Sequence, residues 1–122
     1  MKKRFLSTLF MTATIAGLGF GVADAHPRLL SASPRQNSRV GAPAELRIGF
    51  SETLIGKFSH VDLMDGRGHP INVGPTMLAT DHKQLVAAIR TKLAPGSYRV
   101  VWKAVSTDTH RVQGSYGFTV TK

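Results

Sequence analysis

Asp108 and His110 are the first residues in this chain whose types and spacing could do chemistry. They stand near the end of the stretch Val100-Val-Trp-Lys-Ala-Val-Ser-Thr-Asp-Thr-His110, which reads as a strand leaving the core. Side chains two apart on an extended backbone point to the same face. A carboxylate and an imidazole on one face make half of a metal site or half of an acid–base pair. They also make an ordinary structural hydrogen bond, and the local sequence does not decide between these readings. His26 supplies the missing half if the 25 residues before it are removed. An N-terminal histidine carries a free α-amine and an imidazole, and the two can close a chelate ring on one ion. Pro27 follows, and proline has no N–H for copper to displace. Three nitrogens and one carboxylate oxygen form a tetragonal N,O set, which suits Cu(II). There is no cysteine, and only Met64 and Met77 follow residue 25, so Cu(I) should be held poorly. His60, His69 and His82 read as surface histidines.

The start of the chain supplies the condition. Lys2-Lys3-Arg4 precedes the apolar run from Phe5 to Val22, and Ala23-Asp24-Ala25 is a small-x-small cleavage pattern. The expectation is a secretory signal peptide over 1–25, cut before His26. Ser7, Thr8, Thr12, Thr14 and three glycines interrupt the run, which argues against a retained membrane anchor. The mature domain would be 26–122 (122 less 25, or 97 residues), one small exported domain. Exported domains often rely on disulfides. Without cysteine, apolar packing and a bound ligand or metal must hold this one.

The whole chain has 16 basic and 7 acidic residues, a formal charge of +9. Losing Lys2, Lys3, Arg4 and Asp24 leaves 13 against 6, or +7. The arginines are scattered, with no basic run and no aromatic platform between them, so nucleic acid is not the expected partner. A solvated basic surface is the reading, one that anionic envelope lipids or acidic partners would attract.

The elements that must position these residues are short. His26 to Ser33 reads as extended, with Leu29 and Leu30 as core candidates and Pro34 ending the run; Gln36 to Ala44 reads as a loop. Leu46, Ile48 and Phe50 alternate with Arg47 and Gly49, the pattern of a half-buried strand, which Ser51-Glu52 closes. Further strands are expected at Val61–Met64, around Ile71 and Val73, at Gln84–Ile89, through Tyr98, Val100 and Trp102, and through Tyr116, Phe118 and Val120. Asp65-Gly-Arg-Gly68 and Pro95-Gly96 are turn signals. About seven short strands without a long amphipathic helix predict an all-β, immunoglobulin-like Greek-key sandwich or small barrel. Trp102 reads as core, its indole N–H needing a partner if buried.

These residues resemble the CopC-like periplasmic copper-resistance proteins across essentially the whole mature chain. The resemblance rests on His26-Pro27, Ser33-Pro34, Phe50-Ser51-Glu52, Pro95-Gly96-Ser97-Tyr98 and Trp102-x-x-Val105-Ser106-x-Asp108-x-His110-x-x-x-Gly114 with Phe118. It implies a small Greek-key, immunoglobulin-like fold and Cu(II) bound by the amine and ring of His26 with Asp108 and His110. It implies for Glu52 a part as a weak ligand or as a group that orients the amine. Some members carry a methionine-rich loop for Cu(I). The region Met64 to Met77 has only those two methionines and His69, so that site is not expected here.

The resemblance further implies a monomeric, non-enzymatic carrier or buffer of Cu(II). Its implied partners are an inner-membrane copper transporter or a periplasmic multicopper oxidase. Two other readings stand beside it. A copper-dependent histidine-brace monooxygenase would need an open coordination position and a broad substrate surface; Asp108 would fill the first, and one tryptophan leaves little for the second. A structural immunoglobulin-like module would use the Asp108–His110 pair for packing only.

Overall fold

A computed structural model describes residues 26–122, so the leader expected over 1–25 lies outside the described residues. Eight strands follow in order: β1 Leu29–Ser33, β2 Arg39–Val40, β3 Glu45–Phe50, β4 His60–Asp65, β5 Met77–Leu78, β6 Gln84–Ala88, β7 Gly96–Val105 and β8 Arg111–Val120. They form two four-stranded sheets, ordered β1-β3-β6-β5 and β2-β8-β7-β4. The architecture is the predicted all-β sandwich, and of the two closures considered the open pair of sheets is the one found; the sheets do not join into a closed barrel.

Alternation explains the core. Leu46, Ile48 and Phe50 of β3 are buried, as are Leu85 and Ala87 of β6. Val61 and Leu63 of β4, Tyr98, Val100 and Ala104 of β7, and Tyr116, Phe118 and Val120 of β8 meet them from the other sheet. Along these core-forming stretches every second side chain points inward. Truncating a fully enclosed member such as Leu46 to alanine would cost about 2–5 kcal/mol.

Several local expectations fail for identifiable reasons. Leu30 is 67 % exposed, while Leu29 packs against the core. Adjacent residues on a strand cannot both face inward, and a register shift between Leu29 and Ser31 places Leu30 outside. The loop expected over 36–44 contains the two-residue β2, paired in parallel with β8 through Arg39↔Thr119 and Val40↔Val120. Two residues carry no period to read. Ile71 and Val73 do not form a strand. Val73 makes one isolated bridge to Ile89, and the strand of this region is β5, six residues after Ile71.

The turns behave as read. Gly68 takes φ 84° and donates its N–H to the Asp65 carbonyl at 3.0 Å; Gly96, the first residue of β7, takes φ 147°. Among the described residues, no helix is long and apolar enough to cross a membrane. The helical content described is a single 3₁₀ turn, Gly56–Phe58, between β3 and β4.

Candidate metal centre

Backbone pairing brings three distant segments to one end of the sandwich. β1 runs antiparallel to β3 with Leu29 opposite Phe50. Beyond the strand, Ser51 donates its N–H to the Arg28 carbonyl at 2.9 Å. The Arg28 N–H in turn donates to Ser51 Oγ at 2.8 Å. Continued in register, Pro27 and His26 come level with Glu52 and Thr53. Pro27 is buried and fixes the approach. The next residues of the β3–β4 link join the β7–β8 hairpin: Thr107 donates to the Thr53 carbonyl at 3.0 Å, Leu54 bridges Ser106, and Ile55 donates to the Val105 carbonyl at 2.8 Å.

The result is a meeting of His26 with His110. Their ring centroids lie 4.8 Å apart with planes inclined at 42°. His110 is half-buried, and its Nδ1 is enclosed without a hydrogen-bond partner. A buried ring nitrogen left unpaired forfeits about 1–3 kcal/mol of solvation, and an orphan of this kind calls for a ligand or a bound water.

Asp108 is placed differently from the expectation. It does not lie on a strand: β7 stops at Val105 and β8 begins at Arg111. Ser106 to His110 close a tight loop, with Thr109 donating to the Ser106 carbonyl at 2.8 Å and Ser106 to the His110 carbonyl at 3.0 Å. Thr109 sits at φ 67°, a left-handed conformation in which the two-residue period no longer holds. Asp108 is exposed and Glu52 is half-buried. Among the described residues, no group of three or more histidine and carboxylate side chains stands close enough to hold a metal ion. The structure therefore joins His26 to His110 and leaves Asp108 and Glu52 outside that contact.

The period-2 geometry expected for Asp108 and His110 occurs elsewhere. His60 and Asp62 stand two apart on β4, with Nε2 3.5 Å from Oδ2. His69 Nδ1 lies 3.4 Å from Asp65 Oδ2 in the turn after β4. All three histidines read as surface, His60, His69 and His82, are exposed, though the first two have a carboxylate neighbour. His-x-Asp within an alternating segment was the signal for the first of these. The Asp65 carboxyl is held below its ordinary range, chiefly by the backbone N–H of His69 and also by that of Arg67.

Trp102 backs this end of the sandwich. It is half-buried, meets Phe50 edge-on at 5.1 Å, and has no partner for its indole N–H, contrary to the expectation. Its ring lies over Gly114, where an added Cβ would come 2.5 Å from Cζ2. Gly114 is thus required for close approach, not for turning.

A two-sheet β-sandwich with paired histidines at one end defines the class of protein, and comparison with known sequences narrows it. The CopC domain model matches residues 29–121, and the chain belongs to that family. Copper resistance protein C of Escherichia coli is 40 % identical over 125 residues, covering 94 % of this chain and 99 % of that one. The crystal structure of PcoC, a methionine-rich copper resistance protein from Escherichia coli, superposes with a TM-score of 0.73 at 39 % identity, over 80 % of this chain and all of that one. CopC from Methylosinus trichosporium OB3b gives a TM-score of 0.72 at 30 % identity, over 78 % and 93 % of the two chains.

Proposed function

We propose that this protein is a copper-resistance protein that binds Cu(II) in the periplasm and buffers it or carries it to a membrane transporter or oxidase. The observation that carries the reading is the His26–His110 contact, at 4.8 Å between rings and with the His110 Nδ1 buried and unpaired. Membership of the CopC domain family and the copper-resistance names of its relatives support the same cargo. In this reading a signal peptidase cuts before His26. The freed amine and the two imidazoles then supply three nitrogens, and Asp108 supplies an oxygen. Asp108, exposed in the hairpin loop beside His110, would supply the carboxylate oxygen, and Glu52, level with Pro27 by register, would orient the amine or bind the metal weakly. The ion is cargo, so no open position for oxygen chemistry is required and the protein is not an enzyme.

The test is Cu(II) titration followed by electron paramagnetic resonance on the 26–122 protein and on the same protein with one glycine added before His26. The expected spectrum has three nitrogen donors, and the added residue, by converting the amine to an amide, should abolish that signature. Equal affinity in both proteins would remove the α-amine from the ligand set.

A further inference from the structure

We propose that the groove between the 3₁₀ turn Gly56–Phe58 and the outer face of β4, β7 and β8 is a docking site for an acidic segment of a second protein. That segment would carry an apolar side chain among its carboxylates. Register puts the cations on one face. His60 pairs with Lys103, and Lys103 pairs with Gln113. Val105, two residues on from Lys103, pairs with Arg111, so all project from the same side of the sheet. The 3₁₀ turn lies across Val105, tied by the Ile55 N–H to its carbonyl. The groove left between them has a volume of about 250 Å³ and is lined by Lys57, Phe58, His60, Lys103, Val105 and Arg111. Among the described residues, no carboxylate lines it; Asp62 stands beyond its rim, 3.5 Å from His60 Nε2.

Phe58 is 51 % exposed within this basic frame. Lys57 Nζ covers part of the ring, 5.0 Å from its centroid. An ammonium and a guanidinium bind carboxylates with charge-assisted hydrogen bonds, and an open aromatic ring in a recess accepts an apolar anchor. A free anion would use the cations and leave Phe58 idle. A bilayer would favour a projecting, coplanar set of cations over a recess the size of one or two side chains. Arg111 directly follows His110, so a docked segment would lie beside the proposed copper site. That last consequence rests on the copper reading; the docking itself needs no metal and is tested without it.

The experiment is a titration of metal-free, ¹⁵N-labelled protein, read by amide chemical shifts, with the blocked peptide Asp-Glu-Phe-Glu-Asp. Controls are Asn-Gln-Phe-Gln-Asn and Asp-Glu-Ala-Glu-Asp. Saturable shifts should centre on Lys57, Phe58, Lys103 and Arg111, with both controls weaker. The Lys103→Glu/Arg111→Glu variant should lose about tenfold or more in affinity. The Arg35→Glu/Arg67→Glu variant makes the same change in net charge at exposed positions away from the groove and should bind as the parent does. The amide spectra report whether each variant is folded. Equal loss in both double variants, equal binding of the uncharged peptide, or no saturable shift at millimolar peptide would overturn the proposal. Capture of the protein by phosphatidylglycerol vesicles with the same dependence on Lys103 and Arg111, and no response to the peptide, would reassign the face to lipid.

Discussion

His110 offers a buried nitrogen with no partner, Asp108 a solvated carboxylate one turn of loop away, and Glu52 a half-buried carboxylate on the neighbouring link. These environments predict a ranking of mutational outcomes. His110→Ala should weaken Cu(II) binding by about tenfold or more, because it removes the ring that His26 faces. Asp108→Ala should do the same while leaving the thermal midpoint within about 1–2 °C of the parent, since nothing buried is lost. Glu52→Ala should cost less than either. Competition titration against a chelator of known affinity ranks all three, and equal affinities throughout would remove the site. Every proposed donor is nitrogen or oxygen, a set without soft sulfur that should release the metal on reduction. Ascorbate with a mild Cu(I) competitor checks this. Retention would point to Met64, His69 or Met77, the last 61 % exposed.

The β7–β8 hairpin is the element that sets the geometry, and its tightest point is Thr109. A β-branched residue at φ 67° is strained, and glycine would relieve it. Thr109→Gly is therefore expected to stabilise the fold by up to about 1 kcal/mol in urea titration. It should weaken copper binding several-fold, because a looser loop no longer fixes Asp108 relative to His110. Gly114→Ala acts oppositely: the methyl meets the Trp102 ring and should cost about 1–3 kcal/mol. The same contrast explains what the sequence disclosed. The alternation at 46–50, 98–104 and 116–120 placed the buried strands, because period 2 survives wherever a strand keeps one face in the core. It could not reveal β2, whose two residues are held by partners eighty positions away (39 to 119, 40 to 120). Nor could it foresee that the chain turns between Val105 and Arg111, since the loop contains no glycine or proline. The two histidines were legible from chemistry. Their meeting was expected from the shared ligand set; what the sequence could not show is the Arg28–Ser51 pairing that registers the N-terminal segment and seats one ring against the other.

Across the whole molecule, two titrations bound the range of stability. Burial pushes the Tyr116 hydroxyl up to about 12 from its ordinary value of 10.0. Between those values the folded chain keeps a proton that the unfolded chain has lost. Stability is thus complete below about pH 10 and falls as pH climbs through the window. Tyr116→Phe should flatten that fall in alkaline urea titrations. It also deletes a buried hydroxyl with no partner, so the midpoint at neutral pH should hold or rise. At the acid end, Asp65 is lowered chiefly by the His69 N–H and Asp81 chiefly by the Gln84 side-chain amide. Their contributions are lost as pH falls through the carboxylate range.

The Arg28–Ser51 pairing also has a consequence for timing. His26 and His110 are 84 positions apart (26 to 110). The β7–β8 hairpin joins near neighbours and can form early, whereas docking β1 on β3 must close a longer loop first. Refolding should therefore restore Trp102 fluorescence as the hairpin packs and admit copper only in a later phase, when the amino-terminal segment seats. A chain built this way would not load its cargo while still half folded, and quenching by copper would serve as a clock for the final step of its own maturation.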